Sequence, residues 1–247
     1  VGIEKRANIL HNIGSELINQ SKEIGTLLSR EEGKTLPEGI GEVFRSGQQF
    51  QYYAASALRQ FGENIASTRE GVSVELTREP IGVCGIISPW NFPIAIAAWK
   101  SAPAMAFGNA IVLKPASQTP ASAIALTKII SEQKDIPEGL FNLVLGSGGT
   151  IGHQISEHKN INAISFTGSV NVGQTIYQEA AKTMKKMQLE MGSKNPLLIM
   201  DDADLEIAVT CATNGAYGGT GQKCTASSRL IVHEKVYKEF IERLIKS

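Results

Sequence analysis

From residue 81 onward the chain alternates short apolar runs with segments of helical period, and no other feature limits so strongly what it can fold into. Apolar runs at 83–87, 111–113 and 141–145 are separated by helical patterns over 94–107 and 121–130. The series continues with a run at 161–166, a helix over 172–182, strands at 186–189 and 196–200, and a helix over 205–217. A strand covered on both faces reads as a continuous apolar run, and a helix between two such strands returns the chain to start the next one in parallel. The alternation therefore predicts an α/β fold: a doubly wound, Rossmann-like parallel sheet with helices on both faces.

An N-terminal helical segment precedes it. Over residues 1–65, apolar positions such as Ile9, Ile13, Leu17, Leu27 and Leu28 recur at helical spacing, with Gly33 and Pro37 dividing off a helix over 42–62. Residues 72–78 then alternate apolar and polar, the pattern of a half-exposed strand. No repeat or linker marks a second complete domain.

Composition narrows the partners. Lys+Arg and Asp+Glu balance at 24 each, so there is no excess positive charge for a nucleic-acid backbone or an anionic membrane. The longest apolar stretch, 92–107, is interrupted by Lys100, Ser101 and two prolines and is too short to span a bilayer. Small molecules or further copies of the chain are the expected partners. Cys84, Cys211 and Cys224 form no CxxC pair, which argues against a metal site and fits a reducing cytoplasm. Both ends read like amphipathic helices without the usual start or stop signals, so the chain is expected to be part of something longer.

In open parallel sheets, ligands bind beyond the carboxyl ends of the strands. Four loops there carry chemistry. Ser88-Pro89-Trp90-Asn91-Phe92-Pro93 holds a side-chain amide between two prolines; Asn91 can serve as a donor to an oxyanion or as a cap for the next helix. Lys114, directly after a strand, can reach a ribose or phosphate or can simply be solvated. The glycines of Gly146-Ser147-Gly148-Gly149-Thr150-Ile151-Gly152, and later Phe166-Thr167-Gly168-Ser169 before a helix, suit a phosphate or mark a plain turn. Cys224, in the loop Gly221-Gln222-Lys223-Cys224, has the exposure and neighbouring cation of a reactive thiol, against the alternative of an ordinary loop cysteine. Cys84 and Cys211 are expected to be core thiols. Glu190, at the end of a strand, can be a general base or can cap a turn.

Taken in order, Pro89-Trp90-Asn91-Phe92-Pro93, Lys114-Pro115, Phe166-Thr167-Gly168-Ser169, Leu189-Glu190-Met191-Gly192 and Gly221-Gln222-Lys223-Cys224 resemble the aldehyde dehydrogenase superfamily over essentially the whole chain. The resemblance implies oxidation of an aldehyde to a carboxylate with a nicotinamide coenzyme. In that scheme Cys224 attacks the carbonyl, Asn91 and the Cys224 backbone N–H hold the oxyanion, and Glu190 activates the hydrolytic water; Lys114 is counted with this catalytic set. The implied coenzyme site comprises Ile87, Ser88, Pro89, Trp90, Lys114, Ser117, Gly148, Gly152, Phe166, Thr167, Gly168, Ser169, Leu189, Glu190 and Gly192, with Ser169 near the pyrophosphate.

Members that prefer NAD often carry Glu three residues after the ribose-binding lysine. Ser117 stands there, so the resemblance implies NADP, with NAD also possible. The stretches around Glu190 and Cys224 look most like the α-ketoglutaric semialdehyde dehydrogenase branch. Two departures limit the carry-over: Ser193 replaces a usual glycine, and the family's later Glu-Ile-Phe-Gly-Pro stretch is absent.

The domain reading that follows is a helical N-terminal part of the coenzyme-binding domain at 1–65, the Rossmann-like coenzyme-binding domain at 66–220, and at 221–247 the start of a catalytic domain otherwise missing. The complete protein is expected to be a homo-oligomer. The alternatives are a coenzyme-binding fragment without turnover, and a thiol esterase that uses Cys224 and Asn91.

Overall fold

Three helices open the chain, α1 (Ile3–Asn19), α2 (Ser21–Glu32) and α3 (Leu36–Ala57), in a computed structural model that describes residues 1–59 and 62–247. Leu10, Ile13 and Leu17 of α1 and Leu28 of α2 are buried with Val43 and Phe50 of α3 in one apolar cluster. Helices α1 and α3 meet at two glycines. A Cβ on Gly14 would lie 2.6 Å from the Gly47 carbonyl oxygen, and one on Gly47 would lie 2.5 Å from the Gly14 oxygen, so any side chain there would force the helices apart. Gly33, at φ 98°, ends α2 in the left-handed conformation glycine tolerates.

Helix α3 starts earlier than its apolar pattern predicts. Thr35 and Glu38 form a capping box and Pro37 lies in the first turn, so the proline expected as a divider is an initiator. Of the helix expected over 42–62, Gln60 and Phe61 lie outside the described residues. The strand expected at 72–78 is β2 (Ser73–Leu76), which pairs antiparallel with β1 (Glu63–Ala66). The expected helical segment at 1–65 had absorbed most of β1.

The sheet is built from β3 (Val83–Ile87), α4 (Ala95–Ala106), β4 (Ala110–Lys114), α5 (Pro120–Ser131), β5 (Phe141–Leu143), α6 (His153–Glu157), β6 (Ala163–Gly168), α7 (Val170–Ala181) and β7 (Lys186–Met191). Its five parallel strands run in the order β5-β4-β3-β6-β7, the doubly wound fold the sequence predicts. From β3 the chain winds first towards β5 and then, after crossing to β6, towards β7. Right-handed crossovers therefore place α4 and α5 on one face and α7 on the other. Ile86, Ile111 and Leu113 are buried among Ala98 and Ala102 of α4, Leu126 and Ile130 of α5, and the first three helices. Gly85 points to the opposite face, where a Cβ would lie 2.6 Å from Ile155 of α6.

Residues Val1–Glu190 form one compact unit and Met191–Ser247 a second. The expected boundaries at 65/66 and 220/221 do not coincide with that division. The first three helices share a core with α4 and α5. In the second unit β8 (Asn195–Ile199) does not extend the large sheet as the alternation predicts. It pairs in parallel with β9 (Ser227–Val232), a strand not anticipated, around a core of Ile199, Val209, Ala212 and Phe240 supplied with α8 (Leu205–Tyr217) and α9 (Glu234–Lys246).

Cys211 corrects the expectation of a core thiol: it is exposed, whereas Cys84 is buried. At about 100° per residue, Cys211 points well away from the α8 face that carries Val209 and Ala212. No helix among the described residues is long and apolar enough to cross a membrane.

Candidate active site

The loop after β3 is held from behind by the helical layer. Helix α4 begins at Ala95 with Ile94 in the capping position and no local side-chain cap. Its first amides turn to a distant carboxylate: the Ile94 and Ala95 N–H groups each donate to Glu42 Oε1 at 3.0 Å. Capping of α4, one of the two roles open to Asn91, is thus carried by Glu42. The second oxygen of Glu42 accepts from Lys34 Nζ at 2.6 Å, and the same ammonium donates to the Asn91 carbonyl at 2.8 Å and lies 4.0 Å from the centre of the Phe92 ring. Both charged side chains are buried. Burial pushes the Glu42 carboxyl above its usual range, while Lys34 and the two amides pull it back.

The loops after β4, β5 and β6 share the carboxyl edge of the sheet. Lys114 is buried rather than solvated; its Nζ donates to the Pro115 carbonyl at 2.7 Å, and desolvation lowers its pKa. Ser117 Oγ donates to the Gly146 carbonyl at 3.2 Å, which ties the lysine loop to the glycine-rich loop. Around Gly148, Gly149 and Gly152 a Cβ would meet nothing, so this backbone is open to close approach. Phe166 is buried with its ring 2.5 Å from where a Cβ on Gly168 would sit. Ser169 caps α7, its Oγ accepting from the Val172 N–H at 3.4 Å. Ile87 and Ser88 are buried at the end of β3, Pro89 and Trp90 follow half-buried, and Ser88 Oγ has no hydrogen-bond partner among the described residues.

These features fit a dinucleotide. An open glycine backbone, a helix N-terminus and an adjacent lysine suit phosphates, and a buried hydroxyl without a partner is left for a ligand. Ser88, Lys114, Ser117, Gly148, Gly152 and Ser169 would be the residues to hold one.

Glu190 lies exposed at the end of β7, with Leu189 half-buried before it. Gln188, on the same side of the strand, donates from Nε2 to Glu190 Oε1 at 2.9 Å. The Gln188 side-chain oxygen Oε1 accepts from Lys100 Nζ at 2.8 Å and also from Ser165 Oγ, which itself accepts from Lys100 at 2.7 Å. Desolvation lowers the Lys100 pKa to about 8, against the Glu190 charge, which raises it. The sequence registers Lys100 only as an interruption of an apolar stretch. The available signal was a lysine inside a helix apolar on nearly every side, since such a lysine is almost never buried unless paired.

Gly192 and Cys224 belong to the second unit. Cys224 is exposed, and its carbonyl accepts from Asn195 Nδ2 at 2.6 Å. Before it, Gly219, Thr220 and Gly221 are all left-handed, at φ 62°, 58° and 69°; Thr220 holds a conformation that a β-branched residue seldom adopts. The Lys223 ammonium donates to the Asn214 carbonyl in the last turn of α8 at 3.5 Å, so it is engaged with the helix end.

The chain belongs to the aldehyde dehydrogenase family, which it matches over residues 1–247. It is 45% identical over 244 residues to the α-ketoglutaric semialdehyde dehydrogenase of Bacillus subtilis, an alignment covering 98% of this chain and 49% of that protein. It is 40% identical over 241 residues to the α-ketoglutarate semialdehyde dehydrogenase of Haloferax volcanii, covering 98% and 50%. The crystal structure of Staphylococcus aureus betaine aldehyde dehydrogenase in complex with NAD+ superposes with a TM-score of 0.97 at 36% identity, over 100% of this chain and 49% of that one. The chain thus spans about half the length of the curated relatives it matches.

Proposed function

We propose that the protein containing this chain oxidises an aldehyde to its carboxylate with a nicotinamide coenzyme, NADP in preference to NAD. The Cys224 thiolate adds to the carbonyl carbon, and the Asn91 amide and the Cys224 backbone N–H take the charge that develops on oxygen. A nicotinamide coenzyme, when bound, would supply the hydride acceptor. Loss of hydride from the tetrahedral adduct leaves a thioester on Cys224. Glu190 removes a proton from water, which attacks the thioester, releases the carboxylic acid and restores the thiolate.

The observation that carries this reading is the gathering of Asn91, Lys114, Ser117, Gly148, Ser169 and Glu190 on loops and strand ends along the carboxyl edge of one parallel sheet. The substrate proposed is α-ketoglutaric semialdehyde, on the similarity to the Bacillus subtilis and Haloferax volcanii proteins. The complete protein is proposed to be a homo-oligomer, supported by the exposed apolar side chains Ile65, Val74 and Leu76 on the β1–β2 hairpin. Three free cysteines support a reducing cytoplasm as its setting.

The test is Cys224→Ala. NADPH formation from the aldehyde should disappear while calorimetric binding of NADP+ persists; turnover in the variant would remove Cys224 from the mechanism. Binding without turnover in the unsubstituted chain would instead support a coenzyme-binding fragment, since most of the proposed coenzyme contacts lie in Val1–Glu190.

A further inference from the structure

We propose that Lys34 and Glu42 are positioning residues for the oxyanion donor, gripping the backbone on both sides of Phe92 and Pro93 and so fixing the direction of the Asn91 side-chain amide. The inference rests on the reading of Asn91 as that donor.

The two prolines restrict the loop only in part. Pro89 and Pro93 have fixed φ angles, and Phe92, preceding a proline, is confined to extended conformations. Neither effect sets ψ of Asn91, the rotation that decides where its carbonyl points and how its side chain is carried. That carbonyl accepts from Lys34 Nζ at 2.8 Å, and the same ammonium sits 4.0 Å from the centre of the next residue's ring. On the far side of Pro93, Glu42 Oε1 accepts from both Ile94 and Ala95 N–H at 3.0 Å. The 2.6 Å Lys34–Glu42 contact joins the two grips, so Asn91 to Ala95 is held at both ends by one ion pair.

Stability alone does not explain the pair. Each side chain is 2% exposed, and at such burial the loss of hydration largely offsets the attraction, so apolar residues of similar volume would hold the layers together as well. Apolar residues cannot donate to one chosen carbonyl or accept from two chosen amides. The ion pair therefore contributes direction, and the loop it directs is the one that carries Asn91.

The experiment uses the full-length protein and follows the pre-steady-state release of p-nitrophenol from p-nitrophenyl acetate, an acylation of Cys224 that requires oxyanion donors and no coenzyme. Asn91→Ala should slow acylation by about 100-fold or more. The double variant Lys34→Met/Glu42→Gln retains an oxygen for both α4 amides and removes both charges of the pair, while the buried Glu32 carboxylate, 4.0 Å from Lys34 Nζ, keeps its hydrogen bond from the backbone N–H of residue 34. It should slow acylation between about 10- and 100-fold, the cost of misplacing a catalytic group by a fraction of an ångström to one ångström, with the NADP+ dissociation constant unchanged.

The deciding measurement adds the double variant to Asn91→Ala. If the pair acts through Asn91, the triple variant is no slower than Asn91→Ala alone. Losses that multiply, or a full rate in the double variant, would overturn the inference while leaving Asn91 as the donor. An Asn91→Ala protein that acylates at the full rate would overturn the donor reading and the inference with it. If the double variant does not fold, Lys34→Met alone, which removes the donor to the Asn91 carbonyl and leaves Glu42 on the two α4 amides, decides between the same outcomes.

Discussion

Lys100 gives the structure a stability that should rise into alkaline pH. Lys100 is 9% exposed, and its pKa falls from the ordinary 10.5 to about 8 because burial penalises the charged form. As pH rises through 8 the folded chain gives up this proton while the unfolded chain keeps it until about 10.5. Between those values the unfolded state binds more protons, so stability increases with pH. Below pH 8 both states are protonated and the whole cost of burying the ammonium is present. A gap of roughly two and a half units at about 1.4 kcal/mol each makes that cost about 3 kcal/mol.

Lys100→Met keeps much of the side-chain volume and removes the titration. Its effect on the Ser165 and Gln188 hydrogen bonds is a constant offset, and other titrating groups cancel when the variant is compared with the parent at each pH. Urea unfolding from pH 7 to 10.5 should therefore show the stability difference moving by about 3 kcal/mol in favour of the parent, most of it above pH 8. Glu190→Gln removes the charge that raises the Lys100 pKa, so the rise should begin at lower pH. Parallel curves for parent and Lys100→Met would refute the argument, because a lysine that titrates normally has no such window.

Ser117→Glu should shift the ratio of NADP+ to NAD+ dissociation constants towards NAD+ by about 5-fold or more, since a carboxylate near a 2′-phosphate costs at least about 1 kcal/mol; calorimetry with both coenzymes checks it, and an unchanged ratio would remove Ser117 from coenzyme choice. Asp204 Oδ1 accepts from the Glu206 and Ile207 N–H groups at the start of α8. Asp204→Ala should therefore lower the stability of the second unit by about 1 kcal/mol in chemical unfolding, and an unaltered midpoint would mean that the cap contributes nothing.

The sheet from β3 to β7 was legible because strands buried on both faces leave continuous apolar runs, and each candidate loop follows such a run. Exposed pairing leaves no such mark. Strand β1, Glu63–Ala66, is exposed at every position, and only its register with β2 makes it a strand. Likewise β8 looked like one more member of the large sheet because its apolar run does not say which neighbour it pairs with. Ordered motifs singled out Cys224 where accessibility could not have done so, Cys211 being exposed as well.

What stayed hidden was long-range capping. Helix α4 starts behind Ile94 and α5 behind Thr119, neither of which supplies a side-chain cap. The missing acceptors are Glu42, 52 residues before Ile94, and Glu31, 90 residues before Ala121, whose two oxygens take the Ala121 and Ser122 amides at 2.7 and 2.9 Å. No local pattern predicts a partner at such distance, yet a helix that opens without a local cap and is buried from its first turn requires one. Both partners come from the helical layer, one from α2 and one from α3. The two glutamates therefore do twice what a local cap does once: each satisfies the start of a sheet helix and ties the N-terminal helices to it. That is a physical reason why the first helices belong to the same unit as the sheet, and why a loop more than fifty residues further along takes its shape from Lys34 and Glu42.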